Sequence, residues 1–350
     1  MPPTDDNRRG FLKTLGLGLL ASAAGVRAEM NPAVTEHHWT WTRVGADETP
    51  DQLRRRFAEI RAAGVHSLVL GGADEAVCAL AAAEGLDVHA WWWTLCRGDQ
   101  TLLTEHPEWY VVSRDGRSAC DDPPYVGYYH FLCPTRPDVR RHLREKLSET
   151  LAIDGLAGAC LDYIRFPDVI LPRALWSKYD LVQHEELPRF DFCYCEVCRE
   201  AFKALEGRDP LELPDPPADA AWRRFRWDAV TRLVNELAAL AREQGKMISA
   251  SVFPSPTIAR QLVRQDWPAW DLDAVLPMVY HSFYEEPVSW IEGVVTEGVK
   301  ALPVDRPLYA ALYLPALKGA GEFEAAVARA RAGGAAGVAL FGGVRTIPGA

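Results

Sequence analysis

Short apolar runs alternate along this chain with segments of helical period, from about residue 37 onward. Residues 37–44 alternate as a strand does. Thr49 and Asp51 open a helical pattern through Leu53, Phe57, Ile60 and Ala63, stopped by Gly64. Residues 66–72 predict a second strand, 73–84 a helix ended by Gly85, and 86–95 a third strand containing Trp91, Trp92 and Trp93. Strand parity sends Trp91 and Trp93 to one face and Trp92 to the other. Further strands are predicted at 156–161, 247–253, 273–281, 307–313 and 336–343. Helices are predicted at 136–151, 218–245, 258–267, 288–301 and 321–332. Pro277 is unusual inside a strand and is tolerated at a bulge.

Eight strand–helix beats with short links imply a parallel sheet, and their number implies an α/β fold of the (β/α)8 TIM-barrel type. Two long insertions interrupt the beat, residues 96–135 after strand three and 168–217 after strand four. Both are rich in Pro and aromatics, and loops of this length in a compact domain are usually functional. The sequence stops just past strand eight, so the last helix is expected to be short or missing. That leaves one side of the barrel thinly covered, and a homo-oligomer in which a partner subunit covers it is compatible with the reading. A doubly wound open sheet is the alternative, but no Gly-rich phosphate fingerprint follows any strand.

Composition narrows the class. The 350 residues are 48% hydrophobic and 25% charged, as globular domains are. A net charge of −10 disfavours nucleic acid and anionic membranes as partners. The N-terminal residues are read as lying outside the fold. Asn7-Arg8-Arg9-Gly10-Phe11-Leu12-Lys13 matches a twin-arginine export signal. The apolar segment at 15–24 is too short for a stable membrane span, and Val26-Arg27-Ala28 offers small residues for cleavage. The expectation is a signal peptide over 1–28, a single barrel domain over 29–350, and a periplasmic or extracellular location. This route exports folded proteins, often with a metal already loaded.

Asp162 is the leading candidate for chemistry. It closes the apolar run 156–161 and is followed by Tyr163, Arg165 and Pro167. A carboxylate ending a buried strand is costly unless it faces a polar cavity, and the C-terminal ends of barrel strands face one. The structural alternative is a buried Asp paired with Arg165 or with a backbone amide. Arg165 is read as holding a carboxylate or orienting Asp162. Trp91, Trp93 and Tyr280 are candidates to stack on sugar rings, and His281 to donate a hydrogen bond or carry a proton.

Cys193, Cys195 and Cys198 place three thiols within six residues. Cys193 and Cys195 are too close to bond each other comfortably, whereas Zn²⁺ accepts clustered thiolates. A structural zinc needs a fourth ligand, for which Cys133, Cys120, Cys96 and His184 are candidates. Disulfides are the rival reading in an oxidising compartment. Cys78 and Cys160 lie in apolar runs and read as core thiols.

Two resemblances follow from these residues. His130-Phe131-Leu132-Cys133-Pro134, with Cys193-Tyr194-Cys195-Glu196-Val197-Cys198 after strand four, resembles the zinc loops of family-42 β-galactosidases, which are (β/α)8 enzymes. The resemblance covers these loops only. It implies Cys133, Cys193, Cys195 and Cys198 as ligands of a structural zinc that pins both insertions over the barrel mouth. Leu161-Asp162-Tyr163-Ile164-Arg165-Phe166-Pro167, with Gln265-Asp266-Trp267, Trp270, Asp273 and Pro277-Met278-Val279-Tyr280, resembles the hypothetical family-10-like glycosyl-hydrolase barrels across most of the mature chain.

Glycoside hydrolysis ordinarily uses two carboxyl groups. The family-42 nucleophile on strand seven has no counterpart, because residues 310–315 contain no acid. Glu285 and Glu286, just beyond strand six, are the candidate partners of Asp162, and Asp266 is read as structural. The expected function is therefore cleavage of a poly- or oligosaccharide by paired-carboxylate chemistry. The alternative is a non-catalytic carbohydrate-binding barrel. A catalytic metal is disfavoured, since no His-x-His or His-Glu-x-x-His pattern occurs.

Overall fold

The structure, a computed structural model, describes residues 36–350. The expected export signal, with its 1–28 boundary, lies outside the described residues. Eight parallel strands form one sheet: β1 (Trp39–Arg43), β2 (Ser67–Gly71), β3 (Asp87–Trp93), β4 (Gly158–Asp162), β5 (Met247–Val252), β6 (Ala274–Pro277), β7 (Tyr309–Tyr313) and β8 (Gly337–Phe341). The pairing order is β6-β5-β4-β3-β2-β1-β8-β7. Parallel bridges Val275–Leu308 and Met278–Ala311 bring the two edges together. The architecture is a nearly closed (β/α)8 barrel.

The helices that follow the strands are α1 (Pro50–Ala62), α2 (Glu75–Ala83), α3 (Gln100–Glu105), α4 (Pro137–Leu151), α5 (Glu196–Glu206), α6 (Ala220–Glu243), α7 (Pro256–Val263), α8 (Trp290–Ala301) and α9 (Ala320–Ala332). Their starts are set by local chemistry. Thr49 and Gln52 cap α1 reciprocally, with Pro50 at the first turn, and Asp74, Asp219 and Ser255 cap α2, α6 and α7.

The core has two parts, as strand parity requires. Trp41, Val69, Trp91, Cys160, Ala311 and Ala339 point into the barrel. Trp92, Leu68, Val88, Leu161 and Ala250 point outward under the helices. At the N-terminal end of the barrel the interior is crowded by His89 and Trp39, whose rings lie 4.5 Å apart. Gly158 sits beside them because a Cβ there would meet the Met247 carbonyl oxygen at 2.1 Å and His89 Nδ1 at 3.0 Å.

Two boundaries differ from the sequence expectation. β6 ends at Pro277, not near residue 281, since proline cannot donate to the ladder, and the chain turns into a 3₁₀ segment at His281–Tyr284. α7 ends at Val263, where Arg264 takes a left-handed conformation with φ of 60°. Beyond β8, residues 342–350 hold no helix. They run back across the barrel, burying Ile347, whose amide donates to the Ala63 carbonyl at 3.0 Å.

Candidate active site and candidate metal centre

The C-terminal mouth of the barrel encloses a cavity of about 220 Å³. Its wall is mainly aromatic, with Trp41, Trp91 and Phe341 from strand ends, Tyr280 and Tyr284 from the loop after β6, and Tyr125 and Tyr129 from the first insertion. Asp162, the last residue of β4, faces it. The indole Nε1–H of Trp91 donates to Asp162 Oδ2 at 2.8 Å, and the amide of Tyr163 donates to Oδ1 at 2.7 Å. Burial pushes the Asp162 carboxyl above its ordinary pKa. The Trp91 bond, the Tyr163 amide, Arg165 and Arg43 pull the other way without cancelling it. A carboxyl whose neutral form is favoured by burial in an apolar cleft is suited to proton donation.

Tyr163 adopts a left-handed backbone with φ of 50°, and Tyr125 does so with φ of 65°. Both line the cavity. Non-glycine residues in this region cost on the order of 1–3 kcal/mol each and cluster at functional sites. The turn at Tyr163 directs the chain away from the strand immediately after Asp162.

Arg165 is buried and bonds the Asp168 carboxylate at 2.9 Å. Its guanidinium lies 5.2 Å from the Phe253 ring and 5.4 Å from the Tyr163 ring. Of the two roles expected for it, the direct one is holding a carboxylate, that of Asp168. Asp168 lines the same cavity as Asp162.

The predicted site residues fall into two groups. Asp162, Trp91, Arg165 and Tyr280 line the cavity together. The Tyr280 ring lies parallel to Phe341 with centroids 5.8 Å apart. Trp93 sits beside the cavity rather than on its wall, against Tyr163 at 4.5 Å. His281 is half-buried off the wall, and burial lowers its pKa. Glu285 and Glu286 are exposed, one and two residues beyond the wall residue Tyr284. Asp266 binds Arg260 at 2.6 Å, and Gln265 ties the Phe253 amide to the Ile164 carbonyl, so this pair holds the ends of β4 and β5 in place.

Several lining residues were not picked out from the sequence. Parity along β1, β5 and β8 would have pointed to Trp41, Ser251 and Phe341 at the inward upper positions. Nothing local distinguishes Tyr125, Tyr129 or Asp168 from other loop residues, because their role depends on how the insertions fold back.

The four cysteines Cys133, Cys193, Cys195 and Cys198 come together, all buried, with their sulfurs within 4.8 Å of one another. Cys133 and Cys198 are 3.4 Å apart, and Cys133 and Cys195 are 3.7 Å apart. A tetrahedral tetrathiolate zinc with bonds of ~2.3 Å has sulfur–sulfur edges of ~3.8 Å, so the donor set and its size fit that ion. The Val112 amide donates to Cys193 Sγ at 3.4 Å. Cys195, at the N-terminus of α5, is held well below the ordinary thiol pKa by hydrogen bonds from Cys133, Cys193 and Cys198. None of the eight cysteines is disulfide-bonded, and Cys78 and Cys160 lie in the core as expected. Cys120, Cys96 and His184 are not in the cluster.

The cluster joins the two insertions. Ser113 bridges Phe192, and the Tyr194 amide donates to the Val112 carbonyl at 2.7 Å. Beside it, Asp191 is fully buried against Arg226, with Arg264 at 3.5 Å and the Tyr194 hydroxyl donating to it at 2.7 Å. These charges tie the second insertion to α6 and to the end of α7.

Several solved structures share this fold. The catalytic domain of β-amylase from Paenibacillus polymyxa is similar with a TM-score of 0.56 at 12% identity, over 88% of this chain and 93% of that one. A cold-adapted β-galactosidase from Rahnella is similar with a TM-score of 0.56 at 13% identity, over 87% of this chain and 50% of that one. A family-42 β-galactosidase from G. stearothermophilus gives 0.57 at 13% identity, over 87% and 51%. The chain thus spans about half the length of these β-galactosidases. No protein-family model and no curated sequence matches the chain. At these identities the likeness establishes the shared barrel fold. Among the described residues no helix is long and apolar enough to cross a membrane.

Proposed function

We propose that the protein is an exported glycoside hydrolase in which Asp162 donates the proton that releases the leaving group. One observation carries this reading: a carboxyl with raised pKa ends β4 inside a cavity walled by aromatic rings. Aromatic faces suit the apolar faces of sugar rings. The protonated Asp162 would transfer its proton to the glycosidic oxygen as the bond to the anomeric carbon breaks. A second carboxylate then activates water or attacks that carbon directly. Asp168 lines the same cavity, and Glu285 and Glu286 stand on the loop that borders it.

Zinc in this reading is structural. Cys133, Cys193, Cys195 and Cys198 would hold it, and it would supply a cross-link between insertions that carry much of the cavity wall. The twin-arginine pattern supports export after folding and metal loading, to the periplasm or beyond.

A non-catalytic carbohydrate-binding barrel is the second reading. It is favoured by the ion pair that engages Asp168 and by the exposure of Glu285 and Glu286. Asp162→Asn separates the two. If the protein is a hydrolase, the variant loses cleavage by at least about a hundredfold, within the ~10²–10⁴-fold scale of general acid–base catalysis, while still binding the glycan that wild type cleaves. Glycan binding without cleavage by wild type would support the binder.

A further inference from the structure

The cavity has a roof. The second insertion leaves β4 and crosses the barrel mouth, so that Arg173–Leu175 packs against His281–Tyr284 on the far side. Leu171, Pro172, Leu175 and Tyr179 line the cavity from this strap. The strap is fastened along its length. Buried Gln183 accepts from the Leu171 amide at 2.9 Å and donates to the Tyr125 hydroxyl at 3.0 Å. Trp176 Nε1 donates to the Leu171 carbonyl at 2.8 Å, and the Tyr125 hydroxyl donates to the Asp168 carbonyl at 2.8 Å. The Val169 amide donates to the Leu262 carbonyl at 2.8 Å, pinning the strap to α7. Buried hydrogen bonds of this kind are costly to leave unmade, so the roof is a fixed wall of the site.

We infer that the site takes a single chain-end sugar, making the enzyme exo-acting, with Leu171, Pro172 and Leu175 as the residues that set this specificity. The inference rests on the hydrolase reading. A cavity volume of about 220 Å³ lies below the ~300–1,000 Å³ of typical ligand clefts. It holds one ring. An internal sugar of a polymer must leave the site in two directions, and the strap closes one of them. The roof residues Leu171, Pro172 and Leu175 offer no side-chain donor or acceptor. The ring face turned toward them is therefore an apolar one, and orientation comes from Asp162 and Ser251 below.

The test uses reducing-end-labelled cello-, xylo-, malto- and chitohexaose with the zinc-loaded mature protein, following initial products by electrophoresis. Labelled pentaose and free monosaccharide appearing first is the expected result. Labelled fragments from interior bonds appearing first would overturn the exo assignment and leave the hydrolase reading standing. Absence of cleavage of every hexaose and of a panel of 4-nitrophenyl monoglycosides would remove both. Leu175→Ala adds a second measurement. Its KM for the cleaved monoglycoside rises about tenfold, with kcat within about threefold, from the loss of buried contact in the ground and transition states alike. An unchanged KM in a variant of unchanged Tm would refute the role of the roof.

Discussion

Four histidines crowd the end of the barrel opposite the cavity, and they make stability depend on pH in a specific window. His89 is buried inside the barrel and its Nδ1 has no hydrogen-bond partner. Burial, with His37 nearby, lowers its pKa from 6.5 to about 3. His38 is equally buried, and burial outweighs the opposing pull of Glu36 to leave it at about 4. Burial also lowers His37 and His66, which stack with ring centroids 5.0 Å apart. In the unfolded chain each takes a proton near pH 6.5, while the folded state refuses it. Stability from these groups is therefore complete above pH 6.5 and is lost as pH falls toward the folded values. At pH 5, His38 and His89 each cost about 2 kcal/mol relative to neutral pH. Together, ~4 kcal/mol is a large share of the ~5–15 kcal/mol typical of a domain. The assay is urea denaturation of wild type and His89→Leu between pH 5 and 6.5. The variant should lose about one proton's worth of slope, ~1.4 kcal/mol per pH unit at the acid end. An identical slope in the two proteins would refute the assignment of a neutral, buried His89.

Other expectations follow from the same structure. Protein purified without chelator should carry near-stoichiometric zinc; stripping it, or Cys198→Ser, should lower Tm by well over 10 °C and expose the second insertion to protease, given the ~10–16 kcal/mol that structural zinc contributes in small domains. Absence of zinc from such a preparation would remove the metal assignment. Asp191→Asn leaves buried Arg226 and Arg264 short of a countercharge and should cost about 3–5 kcal/mol by denaturation, whereas an exposed pair such as Arg54–Asp51 should cost under ~1 kcal/mol.

The barrel was legible because its signals are local and repeated. The strands are short, mostly apolar runs, and α1, α2, α6 and α7 carry their own side-chain caps. Asp162 was legible for the same reason, as a charge at the end of such a run. Boundaries were lost where one residue overrides a pattern, as Pro277 does in β6 and Arg264 does after α7. The cavity's other half was hidden because it depends on contacts between distant segments. Asp168 lies only six positions beyond Asp162, yet it lines the cavity because Arg165 and the strap hold it there. Residues 342–350 show the same limit: their sequence predicts no helix, and only packing shows that Ile347 is buried against the end of α1.

The pH dependence of kcat/KM, in wild type and in Trp91→Phe, bears most directly on Asp162. The active form carries the proton, so the rate should fall on the alkaline side through an apparent pKa above the ordinary aspartate value of 3.8. Trp91→Phe keeps an aromatic face and removes the Nε1–H donor that favours the ionised form, so that limb should move up by about one unit. An alkaline limb that stays in place in the variant, or one that persists in Asp162→Asn at full rate, would contradict the account.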